Sequence, residues 1–341
     1  MRRIFFCLVL LLSGGALAVA AEPKAKAKTK AKVAAPPPGP RFGFVAFGCM
    51  PYGKENYVAY EKLLREIDRY QPAFVVHCGD TKSGSEPPTD AFLVQVKTWF
   101  DSLDTAVMYT PGDNEWTDVS RENNGHAEPL VWLDKLRKLY FAEERSLGRR
   151  PIALVTQRRD AEYAKFVENA RWSRDGVVFA TVHVVGSNNN CQPNLPGAID
   201  EFRERDRANA AWVRATFAEA RVKQAPAVAL FFQAEPFKSL DRTDRESGFT
   251  QFLNTIEEEA KAFAKPVLLV HADEHRYRLE SPMKFRRDGQ PLANVTRLET
   301  FGANDIHAVF VTVDPGSPQV FLAGPLVTPA NALPRLPTKG P

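Results

Sequence analysis

Hydrophobic positions along the chain alternate between two spacings, and this alternation predicts an α/β fold. Short apolar runs typical of buried strands begin near residues 42, 73, 106, 177, 227 and 266. Between them, apolar side chains three or four positions apart predict amphipathic helices at residues 57–70, 89–103, 128–141, 200–223 and 249–263. Strands that alternate with helices in this way form parallel sheets with right-handed crossovers.

The last part of the sequence has a different pattern. After residue 275 the chain shows only short β-type runs, at residues 293–300, 308–313 and 319–322. We expect this β-rich ending to build the second sheet of a two-sheet mixed β sandwich flanked by helices. Residues 145–175 are irregular and rich in Arg and Lys, so we expect them to cross the surface. No second linker interrupts residues 41–325, which are predicted to form one large domain.

The composition of both ends places them outside this domain. Residues 1–21 have a basic start, an apolar run and a small-residue exit, which is the pattern of a secretory signal peptide. The apolar run is short for a transmembrane helix. Residues 22–40 are a Lys/Ala run followed by a Pro-rich spacer and predict a disordered tether, and residues 326–341 form a Pro-rich tail. We therefore expect an exported protein that is periplasmic or extracellular after cleavage.

Charge is unevenly distributed along the chain. The formal net charge is +4 at pH 7, but the first 40 residues hold two arginines and five lysines against one glutamate. The domain itself is therefore slightly acidic, which argues against a nucleic-acid groove. The lysine-rich tether is either a solubilising linker or a segment that makes electrostatic contact with anionic envelope components.

Three cysteines remain once the signal peptide is removed, namely Cys49, Cys78 and Cys191. An odd number in an exported protein leaves at least one thiol free. Cys49 and Cys78 follow two strands that we place side by side, so the pattern fits either a disulfide or two free thiols.

Three strand-type runs end in side chains that can bind a metal ion or a phosphate. The stretches at residues 73–82, 107–116 and 266–275 share this layout, and in α/β folds ligands bind at the carboxyl ends of strands. We therefore expect their polar residues to converge. These residues are Asp80, Asp113, Asn114, Glu115, Asp273 and His275.

In order and spacing these stretches resemble the calcineurin-like metallophosphoesterases, whose signature runs D-x-H, G-D-x-x-D, G-N-H-[DE], a lone His and G-H-x-H. The resemblance spans roughly residues 42–321, and it is strongest to an exported bacterial branch with G-D-x-P-Y, G-D-N-E-W-T-D and G-D-T-H. It implies an α/β/β/α sandwich. It also implies cleavage of phosphomonoesters or phosphodiesters through a metal-bound hydroxide, with two metal ions and a small phosphorylated substrate.

Carried over to this sequence, the resemblance makes Asp80 the bridging metal ligand. Asp113 stands where the family has Asn, Asp273 replaces the first His of G-H-x-H, and Gln233 lies near the place of the lone His. Together these residues form an almost all-oxygen set of ligands. Such a set favours Mn²⁺, Mg²⁺ or Ca²⁺.

The second metal position departs further from the family. Cys49 and Pro51 occupy the places of the Asp and the His in D-x-H, so that only Asp80 and His275 remain. A Cys49 thiolate would complete this half of the site and would favour zinc or iron.

The residue that would protonate the leaving group is also changed. Asn114 replaces the His of G-N-H-[DE] and has no proton to give near neutral pH. The next residue, Glu115, could substitute for it if burial raised its pKa, although the family usually uses this position to hold structure.

These departures leave two main interpretations. The first is an exported metal-dependent phosphoesterase-like hydrolase with Asn114, Glu115 and His275 among its catalytic residues. The second is a weakened or inactive pseudoenzyme that serves as a periplasmic binding or scaffold domain. A third interpretation, an envelope-anchoring module, depends on the tether alone.

Overall fold

The computed structural model describes residues 38–238, 247–284 and 291–331. The predicted signal peptide, nearly all of the predicted tether and the end of the Pro-rich tail lie outside this part. Among the described residues, no helix has both the length and the apolar character that a membrane span requires.

Strands and helices follow one another in the predicted order. The strands are β1 (Phe42–Phe47), β2 (Val75–His77), β3 (Val107–Tyr109), β4 (Val155–Thr156), β5 (Ala170–Arg174), β6 (Val177–Thr181), β7 (Val228–Phe231), β8 (Val267–His271), β9 (Arg278–Glu280), β10 (Met283–Lys284), β11 (Pro291–Leu292), β12 (Val295–Glu299), β13 (Ala308–Val313) and β14 (Phe321–Leu326). The helices are α1 (Tyr57–Arg69), α2 (Asp90–Ser102), α3 (Pro129–Tyr140), α4 (Gly186–Asn189), α5 (Ala198–Val222) and α6 (Thr250–Phe263).

The strands form two mixed sheets and a small hairpin. The first sheet has the order β14-β13-β1-β2-β3, and the second has the order β4-β5-β6-β7-β8-β12-β9. Strands β1, β2 and β3 are parallel to one another, as are β6, β7, β8 and β12. The predicted mixed two-sheet architecture is therefore confirmed.

Aromatic side chains from both sheets fill the space between them. On the side of the first sheet, the rings of Phe44 and Phe74 stack with their centroids 5.0 Å apart. Phe44 also contacts Phe179 and Phe231 of the second sheet in edge-to-face geometry. Trp172 stacks on Phe179 and Phe231 in turn. The two sheets therefore pack face to face over a common apolar layer.

Helices cover the outer faces of this sandwich. The apolar sides of α1, α2 and α3 pack on the first sheet, and those of α5 and α6 pack on the second. Helix α1 shows why the sequence spacing predicts this, because its apolar residues three or four positions apart are all buried on one side. These residues are Tyr60, Leu63, Leu64 and Ile67.

Two parts of the sequence-based prediction are wrong. The segment at residues 145–175 is not only a surface crossing, because it contributes β4 and β5 to the edge of the second sheet and buries Trp172. The β-rich ending does not form the second sheet by itself. Strand β12 joins that sheet, whereas β13 and β14 return to the first sheet and pair antiparallel beside β1.

The parallel strands of both sheets point their carboxyl ends toward one edge of the sandwich. Asp80 follows β2 and Asp113 follows β3 in the first sheet, while Gln233 follows β7 and Asp273 follows β8 in the second. This edge is where the predicted site residues lie.

The apolar layer predicts a clear difference between two valines. Val270 of β8 is fully buried between the sheets, whereas Val222 at the end of α5 is 84% exposed. We expect Val270→Ala to lower the free energy of unfolding by about 1.5 to 3 kcal/mol because buried apolar contacts are lost. The matched change Val222→Ala should alter it by less than about 0.5 kcal/mol. Urea denaturation followed by circular dichroism measures both, and equal effects would contradict the assigned core.

Candidate metal centre

Three carboxylates from different loops converge at the carboxyl edge of the sandwich. Asp80, Asp113 and Asp273 each offer one oxygen that lies within 4.8 Å of the other two. Asp80 and Asp113 are buried, and Asp273 is partly exposed. The convergence predicted for these three residues is therefore observed.

Glycines allow the backbone to come this close to the acids. A Cβ added to Gly112 would lie 2.0 Å from Asp80 Oδ1, and one added to Gly186 would lie 2.6 Å from Asp113 Oδ2. Any larger residue at either position would push a carboxylate out of place. Both loops therefore need glycine beside the acid that they approach.

Neutral donors surround the Asp80 carboxylate. Its Oδ2 atom accepts hydrogen bonds from Asn114 Nδ2 at 2.9 Å, Gln233 Nε2 at 3.1 Å and the Tyr52 hydroxyl at 3.2 Å. Its Oδ1 atom accepts from the backbone N–H of Asn114 at 3.1 Å. These bonds fix the orientation of Asp80 and favour its ionised form.

Asp113 has a different environment. Its Oδ2 atom accepts a hydrogen bond from Ser187 Oγ at 2.9 Å, but its Oδ1 atom is buried without a partner among the described residues. A buried acceptor left in this way is rare and needs an explanation. A cation bound among the three carboxylates would supply the missing partner.

Burial and mutual repulsion act against ionisation of all three acids. Burial is the largest cause that raises the pKa of Asp80 and of Asp113, and the neighbouring carboxylates add to it. Burial and the Glu274 charge raise the pKa of Asp273 to about 7. The hydrogen bonds at Asp80 oppose this effect but do not remove the like-charge repulsion. The three carboxylates therefore form a set of oxygen ligands of the kind that hard divalent cations prefer.

Gln233 faces the acids with its nitrogen. Its Nε2 atom donates to Asp80 Oδ2 and, at 2.8 Å, to Asp273 Oδ1, while its Oε1 atom accepts from the backbone N–H of Gly186 at 2.6 Å. Three partners define this amide orientation. Gln233 joins the site as predicted, but as a donor between two carboxylates. Its role as a metal ligand stays a prediction.

The residues assigned to the second metal position also meet, around a tyrosine that the sequence analysis did not select. The Tyr52 hydroxyl lies 3.2 Å from both Asp80 Oδ2 and His275 Nε2. Cys49 is fully buried, and its Sγ atom lies 3.7 Å from the same Asp80 oxygen. The position of Tyr52 directly after Pro51 was the available signal, since the branch that the sequence resembles reads G-D-x-P-Y there.

Electrostatics disfavour a thiolate at Cys49. Burial, followed by the charges of Asp80 and Asp273, raises the pKa of this thiol well above its usual value. A protonated thiol is a poor metal ligand. Burial likewise lowers the pKa of His275, which favours the neutral imidazole. Roles for Cys49 and His275 as ligands of a second metal remain predictions.

Glu115 links the loops that carry the acids. Its carboxylate accepts from the backbone N–H of Thr81 at 2.6 Å, the backbone N–H of Gly112 at 3.1 Å and the Tyr109 hydroxyl at 3.1 Å. It is buried, and these three donors match a carboxylate that holds structure. The predicted catalytic role of Glu115 is untested, and these contacts favour the structural alternative.

Neither Cys49 nor Cys78 takes part in a disulfide. Cys49 and Cys78 are both buried, and Cys191 is partly exposed. Of the two alternatives left by the sequence, free thiols at residues 49 and 78 are therefore observed.

A second group of potential ligands contains its own cation. Arg297 Nη2 donates to Glu235 and to Glu299, and Arg297 Nε donates to His271 Nε2 at 2.8 Å. All four side chains are buried. The backbone N–H of Glu235 in turn donates to Asp273 Oδ2 at 3.1 Å. This group therefore supports the Asp273 loop, and its two carboxylates share the Arg297 guanidinium.

Another buried network supports the loop that carries Asp113. Trp116 Nε1 donates to His183 Nε2 at 3.1 Å, and His183 Nδ1 lies 2.8 Å from Glu168 Oε1. Arg137 completes the chain with two hydrogen bonds to the Glu168 carboxylate. The indole N–H of Trp116 can only donate, so the Nε2 atom of His183 must accept. The proton of the neutral His183 ring is therefore on Nδ1, which faces Glu168.

Comparison with known proteins finds likeness only among solved structures. No protein-family model matches the chain, and no curated protein matches it. The chain is similar to GAP50, the anchor in the inner membrane complex of Plasmodium, at 9% identity and a TM-score of 0.47 over 84% of this chain and 89% of that one.

Two other similar structures are PhoD and a plant phosphatase. PhoD matches at 10% identity and a TM-score of 0.47, over 82% of this chain and 66% of its own. Purple acid phosphatase PPD1 from yellow lupin matches at 11% identity and a TM-score of 0.47, over 85% of this chain and 54% of its own. This chain thus spans about half the length of the lupin protein. Similarity at this level assigns no activity to the chain.

The unpartnered Asp113 oxygen predicts that one substitution stabilises the metal-free protein and weakens its cation binding. The raised pKa of Asp113 means that the metal-free protein loses stability as the pH rises from about 4, the pKa in the unfolded chain, through the folded value. Asp113→Asn removes this charge and keeps the shape of the side chain. We expect a gain in the free energy of unfolding of about 1 to 3 kcal/mol at pH 8 with chelator.

Urea denaturation at pH 8 and pH 4.5 measures this effect, and the gain should shrink at the lower pH. Added Mn²⁺ should raise the melting temperature of the wild type more than that of the variant, because the Asn amide keeps an oxygen but loses the charge. Asp134→Asn, on an exposed face of α3, is the control and should change neither quantity. A variant less stable than the wild type at pH 8 would refute the unfavourable charge at Asp113.

Proposed function

We propose that the protein binds one divalent cation through Asp80, Asp113 and Asp273 and uses it to hydrolyse a phosphoester of a small substrate. The observation that carries this proposal is the buried, unpartnered Asp113 Oδ1 atom among three converging carboxylates. Three loops from two sheets meet to form this arrangement. An apolar core has no need of such a cluster, and the three charges oppose folding unless a cation is present.

When bound, a divalent cation supplies Lewis acidity toward a phosphoryl oxygen and lowers the pKa of water. The protein's own residues hold and orient the cation's ligands. Asn114 and Gln233 fix the Asp80 carboxylate, and Glu115 ties the Asp80 and Asp113 loops together. Mn²⁺, Mg²⁺ and Ca²⁺ suit this oxygen set. The proposal commits to one cation because the Tyr52 hydroxyl contacts both Asp80 and His275.

The substrates should be esters with good leaving groups. Asn114 Nδ2 donates to Asp80 Oδ2 and cannot deliver a proton to a departing alkoxide. The Tyr52 hydroxyl is the titratable proton nearest to Asp80, but burial raises its pKa well above the usual value. Without general-acid help, turnover of a poor leaving group should be slower by about 10² to 10⁴.

A second candidate function is cation-dependent binding of a phosphorylated ligand without turnover. The observation that favours it is the same Asn114 side chain, which occupies the place of a proton donor and instead bonds to Asp80. This candidate shares the cation site with the first and differs from it only in chemistry.

The proposed function also includes where the protein acts. The predicted signal peptide and the lysine-rich tether lie outside the described residues. We propose export to the periplasm or beyond, with the tether free to contact anionic envelope components. The substrate would then be a small phosphorylated molecule in that compartment.

Metal analysis and calorimetry on the purified protein, with hydrolysis assays, test the proposed function. We expect one equivalent of Mn²⁺ per chain and Mn²⁺-dependent cleavage of p-nitrophenyl phosphate or bis(p-nitrophenyl) phosphate. Asp80→Ala and Asp113→Ala should each abolish both, because each removes an anionic ligand. Asp134→Ala, which removes an exposed carboxylate on α3, is the control and should leave both unchanged.

The outcomes separate the two candidates. Cation binding without cleavage of either activated ester in any of Mn²⁺, Mg²⁺, Ca²⁺ or Zn²⁺ would favour the binding function. Failure of the wild type to bind any of these cations would overturn both.

A further inference from the structure

One partly exposed arginine lies close to the carboxylate cluster. Arg121 follows the Asp113 loop, and its side chain is 49% exposed. Its Nη1 atom lies 2.6 Å from Asp118 Oδ2, and its Nη2 atom donates to Ser187 Oγ at 2.9 Å. Ser187 Oγ is also 2.9 Å from Asp113 Oδ2. A single hydroxyl group therefore separates this guanidinium from a carboxylate of the proposed cation site.

The same guanidinium borders Asn114. A Cβ added to Gly84 would lie 2.7 Å from Asn114 Oδ1 and 3.3 Å from Arg121 Nη1, so both atoms line one small gap. Asn114 in turn contacts Asp80 through its other amide atom. Arg121 thus lies next to Ser187 and Asn114, which contact two of the three carboxylates, and its own side chain is half exposed.

The segment that positions Ser187 has an unfavourable backbone. Residues 187–190 all have left-handed φ angles, between 48° and 59°. None of the four is glycine, and each costs about 1 kcal/mol or more in this conformation. Buried Arg205 holds the turn by donating to the backbone oxygen and the side-chain oxygen of Asn189.

This strained turn has a consequence at the site. It brings the Ser187 hydroxyl to a point where it meets Asp113, Asp118 and the Arg121 guanidinium. Strain of this kind persists where the surrounding structure enforces it, and it concentrates at functional sites. The turn therefore gives independent support to a role for the edge of the site formed by Ser187 and Arg121.

Other cations near the site are committed elsewhere. Lys82 is buried and bonds to Asn124 Oδ1 and to the backbone oxygen of Ser83. Lys238 pairs with Glu274 on the opposite loop. The Arg121 side chain, by contrast, is half exposed to solvent, and its contacts with Asp118 and Ser187 fix the orientation of its guanidinium. A planar guanidinium matches two oxygens of a phosphate group at once.

We infer that Arg121, oriented by Asp118 and Ser187, binds the phosphate group of the substrate and that the substrate is a phosphomonoester. The inference rests on the proposed function. A terminal phosphate has three non-bridging oxygens, so two can pair with the guanidinium while the third faces the cation. A phosphodiester has only two and cannot satisfy both partners in this way.

The test compares Arg121→Gln with Arg174→Gln. Arg174 is a matched control, because it is 47% exposed and also pairs with an aspartate, at the far end of the second sheet. In Arg121→Gln we expect kcat/KM for p-nitrophenyl phosphate to fall about 10- to 100-fold, the value of a lost charge-assisted pair. We expect less than about a threefold change for bis(p-nitrophenyl) phosphate. Arg174→Gln should match the wild type for both, and Arg121→Lys should recover part of the loss.

Two binding measurements separate substrate recognition from mere support of the fold. In Arg121→Gln, Mn²⁺ affinity should be unchanged or higher, because a positive charge near the carboxylates is gone, while inorganic phosphate should bind the Mn²⁺-loaded protein more weakly. Loss of Mn²⁺ affinity would mean that Arg121 only holds Asp113 in place, and would overturn the inference.

The result for the wild type keeps the two proposals apart. If it binds Mn²⁺ and phosphate but Arg121→Gln keeps the same phosphate affinity and the same ratio between the two esters, the inference fails and the proposed function stands. If the wild type binds neither Mn²⁺ nor phosphate, both fail. If it binds both but cleaves neither ester, phosphate affinity alone decides the role of Arg121.

Discussion

Repulsion among three carboxylates is the constraint on which the architecture of this edge depends. Asp80, Asp113 and Asp273 come from loops in two different sheets, and their oxygens lie within 4.8 Å of one another in surroundings that disfavour charge. Folding alone would separate such groups, since each unpaired charge is expensive to bury. The glycines that admit the acids, the amides that bond to Asp80 and the Glu115 contacts all act to keep them together.

The second charged cluster shows how the same fold solves this problem without a metal. Glu235, Glu299 and His271 lie close enough to share a cation, and the Arg297 guanidinium fills that role with hydrogen bonds to all three. No basic side chain among the described residues enters the first cluster in this way. The contrast supports the proposal that the first cluster binds a cation from outside, while the second cluster supports the Asp273 loop.

The sequence predicted the strands, the helices and the carboxylates at the strand ends because these depend on local patterns. Apolar runs that end in Gly-Asp or in Asp with His mark the carboxyl ends of buried strands, and parallel neighbours bring such ends together. Sheet membership was harder to predict. Strands β13 and β14 have the same alternation as β12, so nothing local indicates that they return to β1. Strand β5 was missed because its arginines hide the buried Trp172.

Roles within the site depend on directions that sequence spacing does not contain. Gln233 was expected to offer oxygen, yet a backbone N–H from Gly186 takes that oxygen and turns the nitrogen toward the acids. The contacts of Tyr52, which bridges the Asp80 and His275 loops, depend on the backbone shape around Cys49 rather than on spacing.

Two of the replacements at the site have the same physical effect. Asn114 and Gln233 stand where the resemblance implies a proton donor and a metal ligand, and both donate to Asp80 Oδ2, as Tyr52 also does. Each stabilises the negative charge of Asp80 without a cation, so the protein is less dependent on metal for folding than three bare carboxylates would be. Asp113 received no such compensation on its Oδ1 atom. The negative charge that lacks a partner therefore lies at Asp113, next to the strained turn at Ser187 and away from Cys49.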